Sequence, residues 1–158
     1  MQIRRARVDD AAAVAEVHTR SWRSAYEHVF GAERLARIDM DRRRDGWCRA
    51  IREGPWDVTV AELDGRVVGF AGTERGGELG TIYVLPERVG TGVGHALMAA
   101  AVDLLRSQGC VEAFLWVLAD NPRARAFYER EGWQLDGAEK TAELLGVTVR
   151  ELRYRRPL

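Results

Sequence analysis

Val84-Leu85-Pro86-Glu87-Arg88-Val89-Gly90-Thr91-Gly92-Val93-Gly94 joins a short β-branched run to a long helical one. Three glycines alternate within five residues. Without side chains there, the backbone can come close to a ligand and turn several N–H groups the same way. A helix N-terminus adds partial positive charge, so the segment suits a diphosphate. The dinucleotide fingerprint G-x-G-x-x-G fails, because the sixth position counted from Gly90 is His95. A P-loop fails too, because Gly94 is followed by His95 where Gly-Lys-Ser/Thr is needed. A turn with no ligand remains as the plain alternative, but so many glycines disfavour a helix start unless something uses them.

Working outward, Glu78–Val84 reads as the strand before the loop and Gly92–Gln108 as the helix after it, with Val93, Leu97, Ala100, Ala101, Leu104 and Leu105 at helical period. Upstream, Asp57–Leu63 and Arg66–Glu74 form a hairpin about Asp64-Gly65, whose residues supply the positive φ of a tight turn. Before that, Met1–Ala6 predicts an edge strand, and Asp9 or Asp10 caps a helix to about His28. A second helical region over Ala32–Glu53 breaks near Asp39 and stops at Gly54-Pro55. Downstream, Ala113–Leu118 lacks polar alternation, which predicts a strand buried on both faces. Asn121-Pro122 opens a helix to Glu131, and Gln134–Leu144 with Val147–Tyr154 closes the chain as a strand pair about Gly146. The order predicts an α+β fold: a mixed, mainly antiparallel central sheet flanked by helices on both sides. No repeat or linker divides residues 1–158, so one domain is expected.

Twenty-four basic residues balance 24 acidic ones, which favours neither nucleic acid nor an anionic membrane as a partner. Lys140 is the only lysine. Codon bias in a GC-rich bacterial genome accounts for that; selection against self-modification is the alternative. Cys48, Cys110, His18, His28 and His95 form no CxxC or HExxH spacing, so no metal is expected, and two free thiols in a reducing cytosol are. The N-terminus lacks an apolar signal core, and the longest apolar run, Ala96–Val102, is too short to span a bilayer. A cytoplasmic protein is expected.

The segment Val89-Gly90-Thr91-Gly92-Val93-Gly94 resembles motif A of the GNAT acetyltransferases, Q/R-x-x-G-x-G/A, with Val89 where the family prefers Gln or Arg. Trp116 through Trp133, which carries Asn121, Tyr128 and Gly132-Trp133, resembles the family's strand–Asn–helix–Tyr–Gly-aromatic pattern. Arg4-Arg5-Ala6-Arg7-Val8-Asp9-Asp10-Ala11 looks like a typical start of such a chain. The resemblance implies a GNAT fold and the cosubstrate acetyl-CoA. Its pyrophosphate would lie on residues 89–95 (Val89, Gly90, Thr91, Gly92, Val93, Gly94 and His95), and its pantetheine arm along Ile82, Tyr83 and Val84. It implies Asn121 and Tyr128 as further cofactor contacts and Tyr128 as the acid that protonates the leaving thiolate. Glu78, eleven positions before Val89, matches the glutamate base of the family's lysine acetyltransferases.

Other readings stand beside these. Tyr128 could simply pack beside Phe127, Asn121 could simply cap its helix, and Glu78 could be a solvated strand-end carboxylate. Gly77 and Gly80 are read as leaving room around Glu78. His18, Trp22 and Tyr26 recur at i, i+4, i+8 and either pack on the sheet or line an acceptor pocket with Tyr83 and Trp116. Trp22, Tyr26 and Trp116 are the substrate-binding candidates; His95 is expected near phosphate or solvent without a catalytic part. The expected acceptor is an amine, on a small molecule or on a lysine or peptide, attacking directly in a ternary complex. A non-catalytic acyl-CoA sensor, or transfer of another acyl group, are the alternatives. The resemblance implies a monomer or homodimer.

Overall fold

The computed structural model describes residues 1–158. Seven strands form two antiparallel sheets. The first runs in the order β1 (Gln2–Arg5), β2 (Trp56–Leu63), β3 (Arg66–Glu74), β4 (Leu79–Val84), and the second in the order β5 (Glu112–Leu118), β7 (Val147–Pro157), β6 (Gln134–Leu144). β4 and β5 lie side by side and parallel, yet they touch as a ladder only at the bridge Glu78–Phe114, where Phe114 N–H donates to Gly77 O at 3.0 Å. Beyond that bridge the expected central sheet opens into two halves.

Helices cover both faces. Gly69 of β3 faces Val93 and Leu97 of α5 (Val93–Ser107), whereas the neighbouring Phe70 packs against His18 of α1 (Ala11–Ala25) and Trp47 of α4 (Met40–Glu53). This follows from the period of two along a strand. α6 (Pro122–Arg130) joins the α5 side, where Phe127 meets Gly94. The principal core gathers Val14, Val60, Phe70, Leu97, Met98, Leu115, Trp133 and Tyr154, all nearly inaccessible. A second cluster seats Tyr26, Phe30 of α2 (Glu27–Phe30) and Leu35 of α3 (Ala32–Ala36) on Leu118 and Val149.

Several local expectations hold. Asp64 and Gly65 take φ of 50° and 73°, Asp39 caps α4 by accepting from Arg42 N–H at 3.0 Å, and Asn121 caps α6 by accepting from Ala124 N–H at 3.1 Å. Three do not. Asp10 does not cap α1 with its side chain; it accepts from Arg7 N–H and pairs with Arg4 at 2.7 Å, tying β1 to the turn before the helix. The first helix stops at Ala25, because a kink at Tyr26 keeps that ring packed between Trp22 and Phe30. β5 is not buried on both faces: Ala113, Leu115 and Val117 are core, while Phe114 and Trp116 are half-buried. Trp116 is covered by Arg153 from the adjacent β7 and Lys140 from β6 beyond it, so charged side chains lie over its ring.

Gly80 has a packing duty. A Cβ there would stand 1.9 Å from Cη2 of Trp56, whose indole also lies over Gly72. The indole is rigid and set between two strands, so Gly80→Ala is expected to destabilise the fold by about 1–3 kcal/mol, measured as a lower urea midpoint at unchanged slope. An unchanged midpoint would show that the indole swings away freely.

Candidate active site

The gap between β4 and β5 is a cavity of about 620 Å³, within the range of small-molecule sites. One side of it is backbone. Gly90 and Gly92 sit at φ of 81° and 90°, which turns the chain sharply into α5. The N–H groups of Gly90, Gly92, Val93, Gly94 and His95 donate to no protein acceptor, whereas Val89 and Thr91 N–H are used within the turn. Five unpaired donors at a helix start make a site for an anion with several oxygens.

β4 supplies the second backbone surface. Leu85 N–H donates to Val68 O. Because hydrogen-bonded pairs alternate in an antiparallel ladder, Tyr83 and Thr81 also turn their amides to β3. The amide groups of Ile82 and Val84 therefore turn toward the gap. Val84 O is taken by Ser21 Oγ at 2.8 Å, which pins this end of β4 to α1 and away from β5.

Tyr128 is 9% exposed and borders the cavity, and its hydroxyl makes no hydrogen bond to another protein group. Burial, and then the nearby Tyr26, push its pKa well above the usual phenol value, so it stays protonated and able to donate. Asn121 borders the cavity too; besides capping, it donates from Nδ2 to the Tyr26 hydroxyl at 3.1 Å. Trp22, Tyr26, Trp116, Ile82, Tyr83, Val84, Val89, Gly90, Gly92, Gly94 and His95 all line the same space. Trp22 and Tyr26 also pack in the second cluster, so the aromatic stripe both packs and lines. His95 is exposed at the rim, with Nδ1 2.9 Å from Glu131.

Three residues picked from the sequence do not present side chains to this space. Val93 is buried in the core, Thr91 turns its hydroxyl onto Arg88 O at 2.7 Å, and Glu78 is held in the bridge to Phe114 without lining the cavity. The glycines near Glu78 do not open space for it: Gly80 receives the Trp56 ring, and a Cβ at Gly77 would stand 2.8 Å from Glu112 O. The Glu78 carboxyl is nevertheless held above the usual carboxylate range, first by burial and then by Glu74, against the opposing pull of Lys140.

Sequence reasoning missed Glu151 as a lining residue, whereas His18 was already a candidate there. Glu151 of β7 borders the cavity with its side chain 15% exposed; only the register Leu118–Glu151 brings it there. His18 stacks on Tyr83 at 4.9 Å, and its Nδ1 accepts from Trp47 Nε1 at 3.2 Å. The ring proton is thereby set on Nε2. Burial, and then the Arg43 guanidinium, lower its pKa to about 3. In the unfolded chain it titrates near 6.5, so between about pH 6.5 and pH 3 the unfolded state binds the extra proton. Its contribution is complete above pH 6.5 and declines as the solution is acidified. His18→Phe is expected to flatten the fall in unfolding free energy between pH 7 and pH 4; an equally steep fall would rule His18 out as its source.

A sheet parted around a cleft that ends on unpaired amides at a helix start is the frame of an acetyltransferase. The chain belongs to the acetyltransferase (GNAT) family, whose sequence model matches residues 12–133. It is 32% identical to the uncharacterized N-acetyltransferase YuaI of Bacillus subtilis over 95% of this chain and 89% of that protein, and 32% identical to an uncharacterized N-acetyltransferase of Archaeoglobus fulgidus over 81% and 89%. In fold it is similar to the PaiA N-acetyltransferase of Thermoplasma acidophilum, solved in complex with coenzyme A, at a TM-score of 0.77 and 18% identity over 99% of this chain and 98% of that one. No helix is long and apolar enough to cross a membrane.

Proposed function

We propose that the chain, acting as one cytoplasmic domain over residues 1–158 and as a monomer or homodimer, moves the acetyl group of acetyl-CoA to a primary amine by direct attack in a ternary complex. The observation that carries this is convergence: the unpaired amides of Gly90 and residues 92–95, the outward backbone of Ile82 and Val84, and the free hydroxyl of Tyr128 all meet at one cavity. The loop amides suit the diphosphate, the β4 edge suits the amide-bearing pantetheine arm, and Asn121 borders the same cavity. Acetyl-CoA supplies an acyl group already activated as a thioester.

The chain's own task is to place the amine and move two protons. A free amine is a nucleophile and its ammonium is not, and a lysine-like amine of pKa about 10.4 is almost wholly protonated at neutral pH. Glu78, with its raised pKa, takes that proton, and because it does not line the cavity the proton reaches it through water. The new carbon–nitrogen bond forms as the carbon–sulfur bond breaks, Tyr128 gives its hydroxyl proton to the departing sulfur, and the second proton shed by the nitrogen as the amide forms restores the Tyr128 hydroxyl. The purified protein should release coenzyme A thiol from acetyl-CoA only when an amine is present, and Glu78→Gln should slow that release most between the raised pKa of the carboxyl and that of the amine, where Glu78 is ionised and the amine still carries its proton. Tight acetyl-CoA binding with no thiol release across an amine panel would favour the sensor reading instead.

A further inference from the structure

The two walls of the cavity differ in charge. The wall from α5 and α6 carries His95, Arg123 and Arg130, and its one carboxylate, Glu131, is bonded to His95. The facing wall, from α1, β4, β5 and β7, carries Trp22, Tyr26, Tyr83 and Trp116 with Glu151 as its only charged group, since His18 is neutral.

Glu151 is poorly partnered. Its side chain is 15% exposed and accepts no hydrogen bond; its one ion-pair partner is Lys140, with Nζ at 3.6 Å. Charge-assisted bonds in good geometry are about 2.7–2.9 Å. The same Lys140 Nζ stands 4.3 Å from the centre of the Trp116 ring, and its side chain is 46% exposed. An ammonium between a carboxylate and an indole face is a recognised cation seat, and here the chain's own single lysine occupies it loosely. Arg153, also over Trp116 at 5.6 Å, is held instead by Asp136 at 2.6 Å. Glu78 and Glu74 add negative charge within electrostatic reach of Glu151, and Lys140 is the one cation that opposes it at Glu78.

We infer that Glu151 and the face of Trp116 form the acceptor-ammonium subsite, that the acceptor is a cationic amine with an apolar stem and no anionic group beside the nitrogen, and that Lys140 covers the subsite until the acceptor displaces it. This rests on the proposed acetyl transfer. A carboxylate next to the amine would be brought against Glu151, with Glu78 within electrostatic reach, and like charges so placed reject a ligand.

The test uses pairs that differ only by that carboxylate: 2-phenylethylamine against phenylalanine, and cadaverine against lysine. Thiol release should favour the first of each pair by roughly tenfold or more in kcat/KM. Glu151→Gln should raise KM for the favoured amines about tenfold or more, with kcat within about threefold, and should narrow the preference. Lys140→Met, which keeps the apolar stem, should lower that KM. An unchanged KM in Glu151→Gln, or a preference for the amino acids, overturns this inference and leaves acetyl transfer standing. A fall in kcat at unchanged KM also overturns it, by making Glu151 a proton acceptor and not a seat. If the unaltered chain binds acetyl-CoA by calorimetry yet no amine yields thiol, the acetyl-transfer reading falls along with it.

Discussion

Tyr128→Phe is expected to lower kcat by about 10²–10³-fold, within the range of a well-placed general acid, while KM for acetyl-CoA stays nearly constant. The hydroxyl makes no hydrogen bond to another protein group, so its removal leaves no buried partner unpaired, and the ring keeps its contacts with Phe127, Trp133 and Tyr154. Stability should therefore hold, and the rate loss reports on proton donation alone. The pH profile gives a second check. Burial keeps the phenol above its ordinary value of about 10, so unaltered protein should show no loss of kcat from this group below about pH 10. A Tyr128→Phe variant that turns over at the normal rate would remove Tyr128 from the chemistry.

Gly92→Val should abolish measurable acetyl-CoA binding, and Gly92→Ala should weaken it by at least roughly tenfold. Gly92 stands at φ 90° at the start of α5, with open space where a Cβ would point. A left-handed conformation costs an L-residue about 1–2 kcal/mol, and more for a β-branched one. Valine is expected to force the loop out of this shape and turn its N–H groups aside. Each hydrogen bond lost to a charged ligand is worth about 1.5–3 kcal/mol, so losing one costs about tenfold or more in affinity. Alanine is the safer probe, since it touches nothing in the protein and only has to bear the strain. Calorimetry reads the affinity and circular dichroism confirms the fold. Retained affinity in both variants would show that the amides of residues 90–95 do not grip the ligand.

Much of this molecule was legible before its coordinates. The Asp64-Gly65 hairpin, the Asn121 cap and the break at Asp39 are local events, decided by side chains within a few residues of the backbone they serve. The glycine loop was legible for the same reason: its donors belong to consecutive residues. Glu78 was read from its offset to the loop, and an offset along the chain carries no information on which way a strand-end side chain faces. Gly80 was read as space for Glu78, but the space is taken by Trp56, which lies on another strand.

By itself the sequence determined the order of elements and the amide-lined turn, because each depends on neighbours in the chain; the donor role of Tyr128 came from the resemblance of its segment to the family pattern. The tertiary structure decided where the sheet parts, that Glu151 enters the cavity and Glu78 stays beside it, and that His18 is neutral with its proton on Nε2. Those outcomes depend on the register of β7 against β5, on Ser21 holding the end of β4, and on Trp47 reaching His18 from another helix. They are contacts between distant residues, and only packing brings them within range.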